Sequence, residues 1–184
     1  MAGTLQDVYL DELSALYDGE MQIVLALPRF AEAARGPALR EALMQHAEES
    51  RLHLERLDLV FTHWGKSSPG PHRCTGLTGI VQEADDRLHE AQTVEARDVA
   101  ILGAAQRIEH YEIAAYECVC THARRLNRTD EARLLQETLN EEWRADRLFA
   151  TIADGRVAEP VALQVTAFSV PTGDFRPGLP AARS

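Results

Sequence analysis

The chain has 184 residues, of which 45% are hydrophobic and 26% charged, and its net charge is −10 at pH 7. This length and composition are typical of one globular domain, and the acidic balance argues against nucleic acid as a partner because phosphate binding needs concentrated Lys and Arg. No apolar run approaches the roughly 18 residues of a membrane span, so we expect no membrane partner.

The cellular compartment is indicated by the N-terminus and by the cysteines. The first residues contain neither a basic leader nor an apolar signal core. Cys74, Cys118 and Cys120 are odd in number and lack a paired-motif spacing, which favours a reducing environment over a disulfide framework. We therefore expect a cytoplasmic protein.

The first part of the chain predicts a pair of long helices. Apolar residues recur every three or four positions over residues 5–34, and Thr4 with Asp7 forms an acidic variant of the capping box at the start. Pro28 is expected to kink this helix or to remove its last turn. A Gly-Pro pair then separates it from a second amphipathic helix over residues 37–64.

A second pair of long helices follows after a crossover. Residues 65–79 are rich in Ser, Pro and Gly and predict a loop, and a short amphipathic helix is expected over residues 79–92. The third long helix is predicted over residues 93–126, and Thr129 is expected to cap a fourth that ends near residue 155. Two tight helical hairpins joined by a long crossover predict an all-α, ferritin-like antiparallel four-helix bundle with a short extra crossover helix.

The composition changes after residue 155. The segment from 156 to 184 contains Pro160, Pro171, Pro177 and Pro180. We therefore expect a bundle domain over residues 1–155, followed by a C-terminal tail over residues 156–184 that is an extended or partly disordered arm.

The four long helices all carry acids or histidines within their apolar stripes. A buried carboxylate is costly in free energy unless it is paired or bound to metal. Polar side chains within the apolar stripes of four helices therefore indicate one shared site. The rise per residue places Glu20 and Glu49 roughly 20 Å from the turn of the first hairpin, and the acids of the second hairpin lie about 14 to 19 residues from its turn, so each hairpin brings its acids to matching heights. The candidate metal ligands are Glu20, His46, Glu49, Glu109, Glu112, Glu142 and Asp146, with His53 as a further candidate.

Individual members of this set have different expected roles. Glu20 and Glu142 are expected to be terminal ligands, while Glu49 and either Glu109 or Glu112 are candidates to bridge two metals. Any one of these acids has a simpler alternative, which is to face solvent or to pair with a nearby arginine.

The two histidines flank Glu49 at i−3 and i+4. His46 is the preferred ligand. For His53 three roles are open: a metal ligand, a residue that supports a ligand, or a core residue. Glu141 is expected to face solvent, and Tyr116 to pack in the core with a hydrogen bond to a ligand carboxylate as a second possibility.

These motifs resemble the YciF-type family, a bacterial ferritin-like family linked to stress conditions. The resemblance covers roughly residues 5–155, and its most distinctive part is Glu109-His110-Tyr111-Glu112. It implies a four-helix bundle with a dimetal centre, a homodimer, and kinship with rubrerythrins and bacterioferritins. The wider superfamily carries Glu-x-x-His motifs, whereas this chain has the reversed His46-x-x-Glu49 and has Ala145 where a histidine would stand. The departure predicts a site richer in oxygen ligands.

Two functions follow as expectations. The first is a metal-dependent oxidoreductase or iron-handling protein with two divalent ions, iron or alternatively manganese, which reduces dioxygen or peroxide and relies on an unidentified external reductant. The second is a non-catalytic, stress-associated dimeric scaffold with a structural cation or none. The sequence identifies no catalytic residue beyond the candidate ligands.

Overall fold

A computed structural model describes residues 3–66 and 72–155. Over these ranges the protein contains five α-helices and no strand. The helices are α1 (Leu5–Ala33), α2 (Pro37–His63), α3 (Thr75–Glu90), α4 (Val94–Arg125) and α5 (Thr129–Ala153). The predicted C-terminal arm over residues 156–184 lies outside the described residues.

The long helices pair as two hairpins. α1 packs along α2 and α4 along α5, and the hairpins meet where α1 contacts α4 and α2 contacts α5. Short connections make the members of each hairpin antiparallel, while α3 crosses between the hairpins and packs on α4 and α1. The predicted all-α four-helix bundle with a crossover helix is confirmed. Across the ranges described, no helix combines the length and the apolar character needed to cross a bilayer.

The core consists of two apolar clusters with a polar layer between them. One cluster includes Ile23 and Phe149, and the other includes Leu13 and Phe61. Along α1 the stripe passes from the second cluster through the buried Glu20 to the first. The buried polar layer therefore lies within the bundle, with apolar packing on both sides of it.

The structure decides two expectations about the helix ends. Of the two effects expected of Pro28, a kink or the loss of the last turn, the loss does not occur, because α1 continues through Pro28 to Ala33. Phe30, two residues further on, is fully buried, and this packing outweighs the missing hydrogen bond. Thr129 is the first residue of α5 rather than its cap, and Arg128 at the cap position makes no side-chain capping bond. The Arg128 guanidinium instead lies 4.1 Å from the centroid of the Trp64 ring, so tertiary contacts hold this end.

The capping box at the start of α1 is confirmed. The Asp7 backbone N–H donates to Thr4 Oγ1 at 3.1 Å, and the Thr4 backbone N–H donates to Asp7 Oδ2 at the same distance. Two of the amides at the helix start are thereby satisfied, which stabilises this end locally.

α3 begins at Thr75, whereas the glycines of this region predict a loop that continues to residue 79. The Cys74 backbone N–H donates to Asp18 Oδ2 at 2.7 Å, and the Cys74 carbonyl accepts from Gln22 at 3.2 Å, so α1 holds the start of α3. Leu77 is fully buried in the core. These tertiary contacts offset the low helix propensity of the two glycines in the first turns.

Alanine at the two glycines of α3 should have opposite effects. A Cβ at Gly76 would lie 2.8 Å from Tyr111 Cε2, whereas a Cβ at Gly79 meets nothing within 4 Å. We expect Gly76→Ala to lower the free energy of unfolding by about 1 kcal/mol through overpacking, and Gly79→Ala to raise it by roughly 0.5–1 kcal/mol through helix propensity. Urea denaturation of both variants measures the difference, and equal effects would contradict the tight contact with Tyr111.

Candidate metal centre

Six polar side chains from the four long helices converge in the buried layer. Each is at most 2% exposed. Glu109 and Glu112 are one helical turn apart on α4, and His46 and His53 are two turns apart on α2, so each pair points from one face of its helix. The six residues are Glu20, His46, His53, Glu109, Glu112 and Glu142.

The six residues form two groups of potential metal ligands. In each group, one ligand atom from every member lies within 4.8 Å of the others. The first group contains His46, Glu109, Glu112 and Glu142, and the second contains Glu20, His53 and Glu142. The two groups therefore share one residue, Glu142.

Glu142 lies between the two histidines. Its Oε1 is 3.0 Å from Nδ1 of His53, and its Oε2 is 3.7 Å from Nε2 of His46. One carboxylate oxygen thus faces each group. The terminal role that the sequence predicts for Glu142 stays a prediction.

The first group is dominated by contacts between His46 and glutamates. Nε2 of His46 lies 3.0 Å from Oε1 of Glu109 and 3.6 Å from Oε2 of Glu112. Burial alone would lower the pKa of His46, but these carboxylates outweigh burial and raise it well above its usual value. Burial, opposed by His46, raises the pKa of Glu109 to about 8. Burial and the neighbouring Glu142 and Glu20 carboxylates raise the pKa of Glu112.

In the second group, Glu20 accepts hydrogen bonds. The fully buried Tyr116 hydroxyl donates to Glu20 Oε1 at 2.6 Å, and Nδ1 of His53 lies 3.1 Å from the same oxygen. Burial opposes ionisation of Glu20, but His53 and Tyr116 outweigh it and lower the Glu20 pKa. Tyr116 therefore makes the hydrogen bond to a candidate ligand that the sequence raised as its second possibility.

The outer nitrogen of His53 meets a carboxylate outside both groups. Nε2 of His53 lies 3.0 Å from Oε2 of Glu141, and Arg56 binds both oxygens of that carboxylate, with 3.0 Å from Nη2 to Oε1. Arg56 also donates to Thr138 Oγ1 at 3.1 Å. Burial of Glu141 is outweighed by His53 and Arg56, which lower its pKa to about 2. The Glu141 side chain is only 19% exposed, so it does not face solvent as the sequence predicts.

Two predicted ligands lie outside the two groups. Glu49 is 19% exposed, with its Oε2 3.7 Å from Nδ1 of His46 and its Oε1 accepting from Gln45 at 3.2 Å. Asp146 is 15% exposed and lies 3.1 Å from Nε2 of His110. Their assignment as ligands stays a prediction.

The donor set fits divalent cations. In the part of the chain described, both carboxylate oxygens of Glu112, and Oε2 of Glu20, Glu109 and Glu142, are buried without a hydrogen bond, while Oε1 of Glu109 and Oε1 of Glu142 each lie 3.0 Å from a histidine nitrogen. The layer contains the four carboxylates Glu20, Glu109, Glu112 and Glu142. Two divalent cations would balance these charges with neutral histidines, and carboxylate with imidazole suits iron or manganese.

The sequence pattern does not point to Arg56, and the expectation that Glu141 faces solvent is wrong. Arg56 precedes Leu57 on α2 and is 8% exposed, although arginine is rarely buried unless paired. Its place beside the apolar stripe could have signalled a buried partner. Which acid would pair with it depends on the contact between α2 and α5, which periodicity within one helix does not reveal.

Comparison with known proteins places the chain in a family. Residues 4–162 match the family model described as Domain of unknown function (DUF892). Protein YciF of Escherichia coli strain K12 is 34% identical over 154 residues, which cover 84% of this chain and 93% of that protein.

Two solved structures have the same fold. The E. coli stress protein YciF superposes with a TM-score of 0.80 at 34% identity, covering 86% of this chain and 99% of that one. YcfI from Rhodopseudomonas palustris, described as a structural protein, gives a TM-score of 0.79 at 37% identity, covering 82% and 95%. The chain therefore belongs to the family described as Domain of unknown function (DUF892), and the E. coli stress protein YciF is a relative of it.

Proposed function

We propose that the bundle is a dimetal carboxylate protein that binds two divalent ions, iron in the first place and manganese as the alternative. The observation that carries this proposal is the pair of buried ligand groups that share Glu142 and contain carboxylate oxygens without hydrogen bonds. In this proposal Glu20 and His53 hold one ion, and His46, Glu109 and Glu112 hold the other. The proposed setting is a cytoplasmic homodimer.

The proposed activity is the reduction of dioxygen or peroxide under stress, with an external reductant that restores the centre. A pair of redox-active ions, when bound, supplies the electrons for this chemistry. The four buried carboxylates compensate the charge of the ions, and the apolar clusters on both sides of the layer keep bulk water away. Tyr116 holds Glu20 in place through its hydrogen bond. The stress setting is supported by the relationship to the E. coli stress protein.

A second candidate function is a scaffold without catalysis. The buried histidines already pair with acids, at 3.0 Å between His46 and Glu109 and 3.0 Å between His53 and Glu142, so protonated histidines would neutralise part of the layer without metal. The relative from Rhodopseudomonas palustris is described as a structural protein. In this case the acids would hold a structural cation or none.

Metal content separates the two functions. Protein expressed with added iron or manganese and purified without chelator is expected to contain about two ions per chain by elemental analysis, as in other carboxylate-bridged bundles. The iron-loaded, reduced protein should then consume peroxide in stopped-flow measurements and release oxidised iron only slowly. A folded protein that retains neither metal would support the scaffold, and gel filtration tests the homodimer separately.

A further inference from the structure

We propose that Glu141 and Arg56 are positioning residues that orient the His53 ring, so that Nδ1 faces the metal position and Nε2 carries the proton. This inference rests on the proposed metal function and adds two residues that are not ligands. Neither Glu141 nor Arg56 belongs to the two ligand groups. Both act on the centre through His53.

The two ring nitrogens of His53 have different surroundings. Nδ1 lies 3.1 Å from Glu20 and 3.0 Å from Glu142, inside the second ligand group. Nε2 points the other way and lies 3.0 Å from Oε2 of Glu141. A neutral imidazole carries one N–H, and the nitrogen that binds a metal must be the unprotonated one. The Glu141 carboxylate accepts the proton on Nε2 and so leaves Nδ1 free to bind.

Arg56 holds the Glu141 carboxylate in the position from which it contacts His53. Its two terminal nitrogens bind the two oxygens of Glu141, and one of them also donates to Thr138 Oγ1 at 3.1 Å. Such a forked contact restrains both partners more than a single hydrogen bond does. Arg56 is 8% exposed and compensates the charge of Glu141, so it holds that carboxylate against His53. A second, half-exposed arginine, Arg144, lies 3.6 Å from Oε1 of Glu141.

Within residues 3–66 and 72–155, His46 has no support equivalent to that of His53. Its inward nitrogen is Nε2, at 3.0 Å from Glu109, while its outward Nδ1 lies 3.7 Å from Glu49, beyond hydrogen-bond distance. Glu49 accepts a hydrogen bond from the neutral amide of Gln45 at 3.2 Å. The two histidines therefore present different nitrogens to the centre, and among the described residues a charged pair holds the outer side of the His53 ring but not that of the His46 ring. This asymmetry gives the proposal a spectroscopic signature.

The test uses Zn²⁺ as a diamagnetic probe. In ¹⁵N NMR of the Zn²⁺-loaded protein we expect His53 to bind through Nδ1 and to keep a slowly exchanging proton on Nε2. The double variant Glu141→Leu/Arg56→Leu replaces a buried ion pair by apolar residues, which is often neutral for folding. We expect it to fold, to lose the protected Nε2–H signal, and to bind Zn²⁺ roughly 10–100-fold more weakly, the usual cost of losing a hydrogen-bond partner of a ligand.

Two single variants complete the design. Glu141→Gln keeps an oxygen that can accept from Nε2 but loses the charge, so its affinity should fall between those of the wild type and the double variant. Glu48→Gln is the matched control, because Glu48 precedes Glu49 as Glu141 precedes Glu142, but its side chain is 65% exposed and pairs with Arg51. It should bind Zn²⁺ like the wild type.

The outcomes separate this inference from the function on which it rests. A wild type that binds no Zn²⁺ would overturn the metal centre and the positioning role together. A wild type that binds Zn²⁺, with a folded double variant of equal affinity or with His53 bound through Nε2, would overturn the positioning role alone.

Discussion

Glu142→Gln is expected to lose both metal ions rather than one. Glu142 is the residue common to the two ligand groups, and its two oxygens face His53 and His46 separately. Glutamine keeps the shape of the side chain but removes the charge and one oxygen ligand. The apparent affinity for Mn²⁺ or Fe²⁺ should fall by more than the roughly 10–100-fold typical of losing a residue that only supports a ligand.

The measurement is metal content per chain combined with a Mn²⁺ titration. Glu112→Gln is the matched control, because Glu112 belongs to one group alone, so this variant should keep the ion held by Glu20, Glu142 and His53. Retention of one full equivalent in both variants would show that Glu142 does not serve both positions. Thermal melts of the metal-free variants exclude unfolding as the cause.

The metal-free protein should lose stability as the pH rises from about 4.5 to 8. The folded-state pKa of Glu109 is raised from 4.5 to about 8, so its contribution to stability is full below pH 4.5 and is lost as the pH rises through 8. A shift of this size corresponds to a change on the order of 5 kcal/mol from Glu109 alone. The raised pKa values of Glu112, His46 and His53 act in the same direction.

Below about pH 4.5, the stability of the metal-free protein should instead fall as the pH falls. The folded-state pKa of Glu141 is lowered to about 2, so its stabilisation is full above 4.5 and is lost as the pH falls toward 2, a change on the order of 3 kcal/mol. The lowered pKa values of Glu20 and Glu49 add to this loss. Maximum stability of the metal-free protein is therefore expected near pH 5.

Urea denaturation of chelator-treated protein between pH 3 and 9 measures this profile. Added Mn²⁺ should reverse the slope above pH 5, because deprotonated carboxylates bind the cation and binding stabilises the fold. Glu109→Gln should flatten the slope of the metal-free protein. A metal-free stability that is constant or increases between pH 5 and 8 would contradict the buried, protonated state of these acids.

The bundle itself could be predicted because its signals are local. The three- and four-residue spacing of apolar positions, the Thr4–Asp7 capping box and the Gly36-Pro37 break are each decided within a few residues. The start of α3 at Thr75 was not predictable in this way, because Asp18 and Gln22 of α1 hold it. Contacts between helices that are distant in sequence can outweigh the low helix propensity of glycine.

The polar layer was also largely predictable. A carboxylate inside an apolar stripe, such as Glu20 or Glu142, is visible in the sequence because it interrupts a period of 3.6 residues. Equal distances from the turns then placed the acids of each hairpin at one level. The sequence by itself thus determined the all-helical fold and the residues from which a metal centre can be built.

Only the tertiary structure decided which of these residues contact one another. The packing of the four helices buries His53 between Glu20 and Glu142 but leaves Glu49 and Asp146 partly exposed. How far each helix is turned about its own axis depends on how all four pack together. The period of a single helix carries no such information, which is why the partners of His53 and the shared position of Glu142 emerge only when the four helices are assembled.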